Sequence, residues 1–326
     1  MVYLTTKVHI GTLPPPLGGI SVYLYRLSKL RKEDQFIDTK NITYWKSSIF
    51  WFIKQIFNRE KKIYICHSLN LRIKLMLYIL SNSSIHDFSI CFHSIRSFLE
   101  QYYSSNFFFK FLIKRILRKT KYIIVVNPDY KKYLRYLFKI DNRKIQVKHA
   151  FIPPPLEEEN KIINTYDDEL QSFLTEKNPI IMANAYALVF FKNQDLYGLD
   201  MCIELTQKLK REFPNLGFLF ALANKNKNSS YFTEMKKKID DLDIKNNFYF
   251  ITGQKEIWPI FKKIDMFIRP TNTDGDSVSI REALHFNCPV IASDIVKRPK
   301  NSILFKNREL NDLYEKAIRV LKNINL

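Results

Sequence analysis

The sequence predicts an α/β protein built as two doubly wound, Rossmann-like domains facing a central cleft. Three observations predict it: strand-like and helix-like segments alternate in both halves, a proline-rich linker separates the halves, and the halves differ sharply in charge. Such alternation implies βαβ units and a mostly parallel sheet covered on both faces, with ligands at the carboxyl ends of the strands. At 326 residues and 46% hydrophobic composition, the chain has material for two full cores.

In the first half, strands are expected at residues 2–5, 63–66, 88–92, 122–126 and 145–147. Between the first two, Ile20, Tyr23, Leu24, Leu27 and Leu30 recur at helical spacing, so a helix begins just after Gly18-Gly19. Residues 149–160, HAFIPPPLEEEN, combine three prolines with an acidic run and read as the linker between domains 1–155 and 156–326. In the second half, strands at 179–183, 216–222, 248–252, 266–268 and 290–292 alternate with helices at 199–211, 231–242 and 256–264. A further helix follows the loop RPTNTDGDSVSIREAL at 269–284.

Residues 1–155 carry 27 Lys+Arg against 8 Asp+Glu, a net +19, whereas 156–326 carry 25 against 24. Such asymmetry points the first half at a polyanion or an anionic membrane surface. On a helix over 107–119, Lys110, Lys114, Arg115, Arg118 and Lys119 take one side, and Phe108, Phe109, Leu112, Ile113, Ile116 and Leu117 the other; Lys131, Lys132, Arg135 and Lys139 continue the basic face. A basic amphipathic helix of this kind suits anionic lipid. A nucleic-acid-binding protein is the rival for the same face, but the chain lacks RNA-binding signatures, a zinc finger or a helix-turn-helix cue, and no nucleic-acid partner is expected. The four cysteines show no CxxC and no His-rich partner spacing, which signals neither a disulfide framework nor a zinc site and fits a reducing cytosol. No secretory signal and no 18-residue apolar run is evident, so a cytoplasmic protein, soluble or peripheral to the membrane, is expected.

Only 7 glycines occur, and a chain so poor in glycine keeps it where a ligand nears the backbone or φ is positive. Four fall at a strand-to-helix turn or helix start: Gly18, Gly19, Gly253 and Gly275. In the loop before the last-named helix, Asp276 or Ser277 can cap, and the free N–H groups near Ser277 and Val278, with the helix dipole, suit a diphosphate. Glu282 lies one and a half turns on, where a carboxylate can accept bonds from ribose hydroxyls. Asp274 precedes the helix, within reach of hydroxyls of a sugar attached to the phosphate.

These residues carry a resemblance. Asp274-Gly275, Glu282-Ala283 and Cys288-Pro-Val-Ile-Ala-Ser-Asp294, with Pro16-Leu-Gly18-Gly19-Ile20 and Ile90-Cys-Phe-His93, resemble the signature of retaining GT-B glycosyltransferases of the large bacterial family 4 type. The resemblance implies a GT-B architecture and transfer, with retained anomeric configuration, from a nucleoside-diphosphate sugar, without metal or other cofactor. It also implies that His93 contacts the donor sugar and that the leaving phosphate takes the proton of the acceptor hydroxyl, so no general base is assigned. Two departures stand out: the first acidic position is Asp274 where the family has Glu, and the family's Arg and Lys after the first strand of the second domain have no counterpart in register. Lys192 is the expected substitute against the diphosphate, with Arg269 second. The expected acceptor is a lipid-linked or growing glycan of O-antigen or capsule biosynthesis, at the cytoplasmic face of the inner membrane. Two alternatives are weighed: a GT-B-fold sugar-nucleotide epimerase, and a DxD metal motif at Asp274-Gly-Asp276 of the GT-A kind, which is disfavoured by its late position. His67 reads as structural, and His86 carries no signal.

Overall fold

The computed structural model describes residues 6–40, 61–67, 86–149 and 151–324, together with Ile73, Leu77 and Ile79. The chain divides into two compact units, Met1–Ile152 and Pro153–Leu326. Each unit is organised around a six-stranded, wholly parallel sheet.

In the first unit the strands are β1 (Lys7–Gly11), β2 (Gln35–Asp38), β3 (Ile63–Cys66), β4 (Asp87–Phe92), β5 (Tyr122–Val125) and β6 (Ile145–Val147), in the order β2-β1-β3-β4-β5-β6. The strand expected at 2–5 lies outside the described residues; the first described strand begins at Lys7. Helix α1 (Gly19–Leu30) starts where the glycine pair predicts. It packs closely on β1 because Gly11 has no side chain: a Cβ there would meet Leu24 Cδ1 at 2.4 Å and His67 Cβ at 3.1 Å. Helices α2 (Arg96–Ser104), α3 (Phe107–Lys119) and α4 (Tyr130–Phe138) follow.

Helix α3 buries Leu112, Ile113, Ile116 and Leu117 in the core. Phe108 was expected on that face, yet it is 62% exposed, beside Phe107 at 86% and Phe111 at 54%. The buried stripe begins one turn into the helix, and of the first three residues only Phe109 packs against the core.

The second unit begins with α5 (Glu159–Ile163) and α6 (Asp168–Glu176), so the acidic run after the prolines folds into helix. Its strands are β7 (Ile180–Ala187), β10 (Gly217–Asn224), β11 (Phe248–Thr252), β12 (Met266–Arg269), β13 (Val290–Ser293) and β14 (Ile303–Phe305), and between β7 and β10 lies a small antiparallel hairpin of β8 (Phe190–Phe191) and β9 (Gln194–Asp195). The sheet order β11-β10-β7-β12-β13-β14 is that of a dinucleotide-binding fold. The order reverses between β7 and β12, and a crevice opens outside the carboxyl ends of such strands. Helices α7 (Leu199–Lys210), α8 (Ser229–Asp241), α9 (Val278–His285) and α10 (Leu310–Ile324) complete the unit. The helix expected at 256–264 is a 3₁₀ segment, Trp258–Lys262, with Pro259 near its start.

The strands are apolar along their length because helices cover both faces: Phe218, Leu219 and Phe220 are all fully buried, though successive residues point to opposite faces. All four cysteines, Cys66, Cys91, Cys202 and Cys288, are buried and free. Among the described residues no helix is long and apolar enough to cross a membrane.

Candidate active site

The loop at 270–277 leaves β12 at the point where strand order reverses and enters α9. Ser277 caps that helix, its hydroxyl accepting from the Ile280 N–H at 3.4 Å. First-turn N–H groups have no partner within the helix, so an anion is favoured there.

Behind the cap lies a buried cluster. Asp274 accepts from Arg269 Nε at 3.1 Å, from Arg298 Nη1 at 2.7 Å, from the Thr271 hydroxyl at 3.3 Å and from the Gly275 N–H at 2.9 Å. Its two oxygens thereby use most of their acceptor capacity. Burial alone would raise this carboxyl, but Arg269 and Arg298 outweigh it and hold it far below the usual carboxylate range. Arg298 also donates to the Ser293 carbonyl at 3.0 Å and to Thr271 and Ser293 hydroxyls at 2.9 Å each. Arg269 donates to the carbonyl and side-chain oxygens of Asn184 on β7, and its guanidinium lies 5.0 Å from the Tyr197 ring centre. Asn184 in turn donates to the Ser279 hydroxyl in the first turn of α9 at 2.8 Å. One carboxylate shared by two guanidiniums leaves a net charge of +1 beside the helix start.

Several expectations change at this point. Asp274 was read as a sugar contact; its oxygens are turned to arginine, threonine and backbone donors instead. Asp276 is paired with Arg281, whose Nε lies 2.7 and 2.9 Å from its two oxygens. Both carboxylates of the DGD stretch are thus matched by guanidinium, unlike the open oxygen ligands that a DxD metal site requires. Lys192 stands at the exposed tip of the β8–β9 hairpin, its ammonium over the Phe191 ring at 5.6 Å, while the bases inside the cluster are Arg269 and Arg298. The hairpin touches the loop through Asn272, which donates to the Phe191 carbonyl at 3.2 Å. Glu282 is 5% exposed and, with Ile280 and Ala283, is one of the buried residues of α9.

The glycines also sort differently. Gly275 is not among the residues with positive φ, and Gly18 has φ −153°, extended backbone that any residue adopts. Gly19 is the first residue of α1. The position that demands glycine near the loop is Gly198, with φ 69°, where a Cβ would lie 2.7 Å from the Pro270 carbonyl. The helix it opens, α7, is capped from three residues upstream by Asp195, which accepts from the N–H groups of Tyr197, Gly198 and Leu199.

At the carboxyl edge of the first unit's sheet, three histidines meet on one face. The row His9, Ile65, Ser89 is set by register, and His67, Cys91 and His93 follow it at even spacing. His9 Nδ1 lies 3.0 Å from His67 Nε2, and His67 Nδ1 lies 3.0 Å from His93 Nε2. Asp34 stands 3.4 Å from His9 Nε2, and Cys91 Sγ 3.5 Å from His93 Nε2. His67, read from sequence as structural, is thus joined to His93. The ligand atoms of His67, Cys91 and His93 all fall within 4.8 Å of one another, a convergence that cysteine spacing in the sequence did not signal.

Residues 174–325 match the family model of glycosyl transferases group 1. The matched residues all lie within the second unit. The loop, the Arg269–Asp274–Arg298 cluster and α9 all lie inside the matched stretch. Solved structures extend the likeness to the fold of the whole chain. A glycosyltransferase from Rickettsia africae ESF-5 is similar with TM-score 0.70 at 16% identity, over 99% of this chain and 89% of that one. Anabaena HepE in complex with UDP-glucose gives 0.68 at 13%, over 98% and 90%. Sucrose-phosphate synthase from Thermosynechococcus elongatus gives 0.67 at 12%, over 98% and 90%. Together with the two parallel sheets, these place the chain in the two-domain, Rossmann-like GT-B fold. No curated protein matches the chain by sequence.

Proposed function

We propose that the protein is a retaining, metal-independent glycosyltransferase that moves a sugar from a nucleoside-diphosphate sugar to a lipid-linked or growing glycan of a surface polysaccharide. The observation that carries this reading is the capped start of α9 at the strand-order reversal of a group 1 domain, with a cluster of net charge +1 behind it. Negative charge grows on the diphosphate as the glycosidic bond breaks, and fixed donors aimed there lower the barrier. The N–H groups at Ser277 and Val278 and the field of Arg269 and Arg298 supply that stabilisation. Glu282 takes ribose hydroxyls. The matching of Asp274 and Asp276 by arginines supports transfer without a metal. Uridine nucleotides are the first donors to try, since HepE was crystallised with UDP-glucose.

The test is thermal-shift screening of the full chain against nucleoside-diphosphate sugars, with and without EDTA. Ligand at a hundred times Kd stabilises by about 2.7 kcal/mol, and the expected shift survives EDTA. No shift with any donor, or one abolished by EDTA, would sink the reading.

We further infer that the first unit works at the cytoplasmic face of an anionic membrane. Phe107, Phe108 and Phe111 stand exposed on a helix that also presents Lys110 and Lys114, and Tyr103 on α2 is 62% exposed. Apolar rings with flanking lysines suit the headgroup boundary. Replacing all three phenylalanines by serine is expected to weaken co-sedimentation with anionic vesicles at least about tenfold, equivalent to roughly 1.4 kcal/mol. Equal binding by the variant would count against membrane contact through α3.

A further inference from the structure

The histidine row of the first unit carries an inference about hydrogen-bond direction. A neutral imidazole has one N–H and one bare nitrogen, and a carboxylate only accepts. Each 3.0 Å nitrogen–nitrogen contact in the row holds a single proton, and Asp34 closes one end. For neutral rings the directions then follow in sequence. His9 must donate from Nε2 to Asp34, which leaves its Nδ1 bare. His67 must donate from Nε2 to that nitrogen, which leaves its own Nδ1 bare. His93 must donate from Nε2 to His67, which leaves His93 Nδ1 bare in turn.

We propose that Asp34, His9 and His67 are positioning residues that fix the tautomer of His93, so that His93 Nδ1 is a hydrogen-bond acceptor for a hydroxyl group of the bound substrate. The site therefore selects a ligand that places a donor hydroxyl at His93 and disfavours a carbonyl or phosphate oxygen there. For the identity of the contact the inference rests on the glycosyltransferase reading, in which that hydroxyl belongs to a sugar.

The surroundings support neutral rings. His9 and His67 are 6% and 4% exposed. Burial lowers the His67 ring well below the ordinary histidine value, with His93 and His9 adding to the effect, and burial lowers His93 to about 4. Burial also lowers His9, against the raising pull of Asp34. Phe36 stacks on His9 with ring centres 4.9 Å apart, and Tyr23 of α1 lies 5.8 Å from the His67 ring and 5.1 Å from the His93 ring, so packing holds the rings in place. Orientation of a functional histidine through the bond made by its other nitrogen is a general device, and here it passes through two further rings.

The experiment is a long-range ¹H–¹⁵N correlation spectrum of the ¹⁵N-histidine-labelled full chain near neutral pH, which reads each ring's tautomer directly. The expected result is the Nε2–H form at His9, His67 and His93, unchanged by one equivalent of Zn²⁺. Asp34→Asn keeps the side-chain shape but can present an N–H to His9 and so permits the whole row to reverse. In that variant the His93 Nδ1 signal is expected to move towards the protonated position, three rings from the substitution, an effect that packing alone would not produce. An Nδ1–H or charged His93 in the unmodified chain overturns the proposal, as does a zinc-induced shift of the His67 and His93 nitrogens, which would make Cys91 and the two rings a metal site. An unmoved His93 in a folded Asp34→Asn variant overturns it too. None of these spectra requires substrate, so they fail or succeed independently of the glycosyltransferase reading.

Discussion

Replacing Asp274 by alanine is expected to destabilise the second unit by about 3–5 kcal/mol, the usual effect of removing one partner from a buried ion pair. The carboxylate bridges Arg269 and Arg298, and without it the two buried guanidiniums lose the ion pair they share. Urea denaturation of the full chain measures the loss. A residue that merely touched a sugar hydroxyl would leave the midpoint where it was, and that outcome would return Asp274 to its sequence-based role. Replacing the carboxylate together with Arg298, by leucine and methionine, is expected to recover part of the stability, because the uncompensated charge is removed. The pH dependence has a definite sign. A carboxyl held below its unfolded value of about 3.9 contributes stability that is fully present above that pH and is lost as pH falls through the folded value. The unsubstituted chain should therefore lose this contribution only below about pH 4, and Asp274→Asn should lack it at every pH.

The second large effect is expected at Glu282. Changing it to glutamine removes a charged acceptor while keeping the shape of a buried side chain. Hydrogen bonds to charged groups contribute about 1.5–3 kcal/mol, so kcat/KM for the donor should fall between about tenfold and about 150-fold. Most of the loss should appear in KM if the carboxylate holds the ribose, and the thermal midpoint without donor should move far less than in Asp274→Ala. Unchanged kinetics in Glu282→Gln would remove this residue from the donor site.

The two acidic residues of one motif thus separate into an anchor and a proposed ligand group, and sequence showed their spacing without showing that difference. Arg298 is the reason. It lies 24 residues beyond Asp274, past β13, and no periodicity links them; only adjacency of β12 and β13 in the sheet brings their ends together. A basic residue shortly after a strand that neighbours the loop's own strand was the available signal. The histidine row had a plainer one, since His9, His67 and His93 lie in or just beyond three apolar strands of one parallel sheet. The alternation of elements was legible for a physical reason: strands covered on both faces read as unbroken apolar runs, as in Phe218 to Leu222. Where that coverage fails, legibility fails. Strand β7 runs on through Asn184 to Ala187, past the end of its apolar run, and β14 is three residues long and partly exposed. The β8–β9 hairpin turns on Lys192 and Asn193, with φ of 51° and 58°, in place of the glycine that usually marks such a turn.

The four buried thiols have a consequence for how the folded chain reacts. Burial pushes Cys66, Cys91 and Cys288 up to about 12 and raises Cys202 well above the ordinary thiol value, so almost none of the reactive thiolate exists at neutral pH. While folded, the protein is therefore expected to react slowly with alkylating agents and mild oxidants despite its cysteine content. Two of the thiols lie in each unit, so the order in which the pairs become modifiable under rising denaturant reports which unit opens first, without any introduced label.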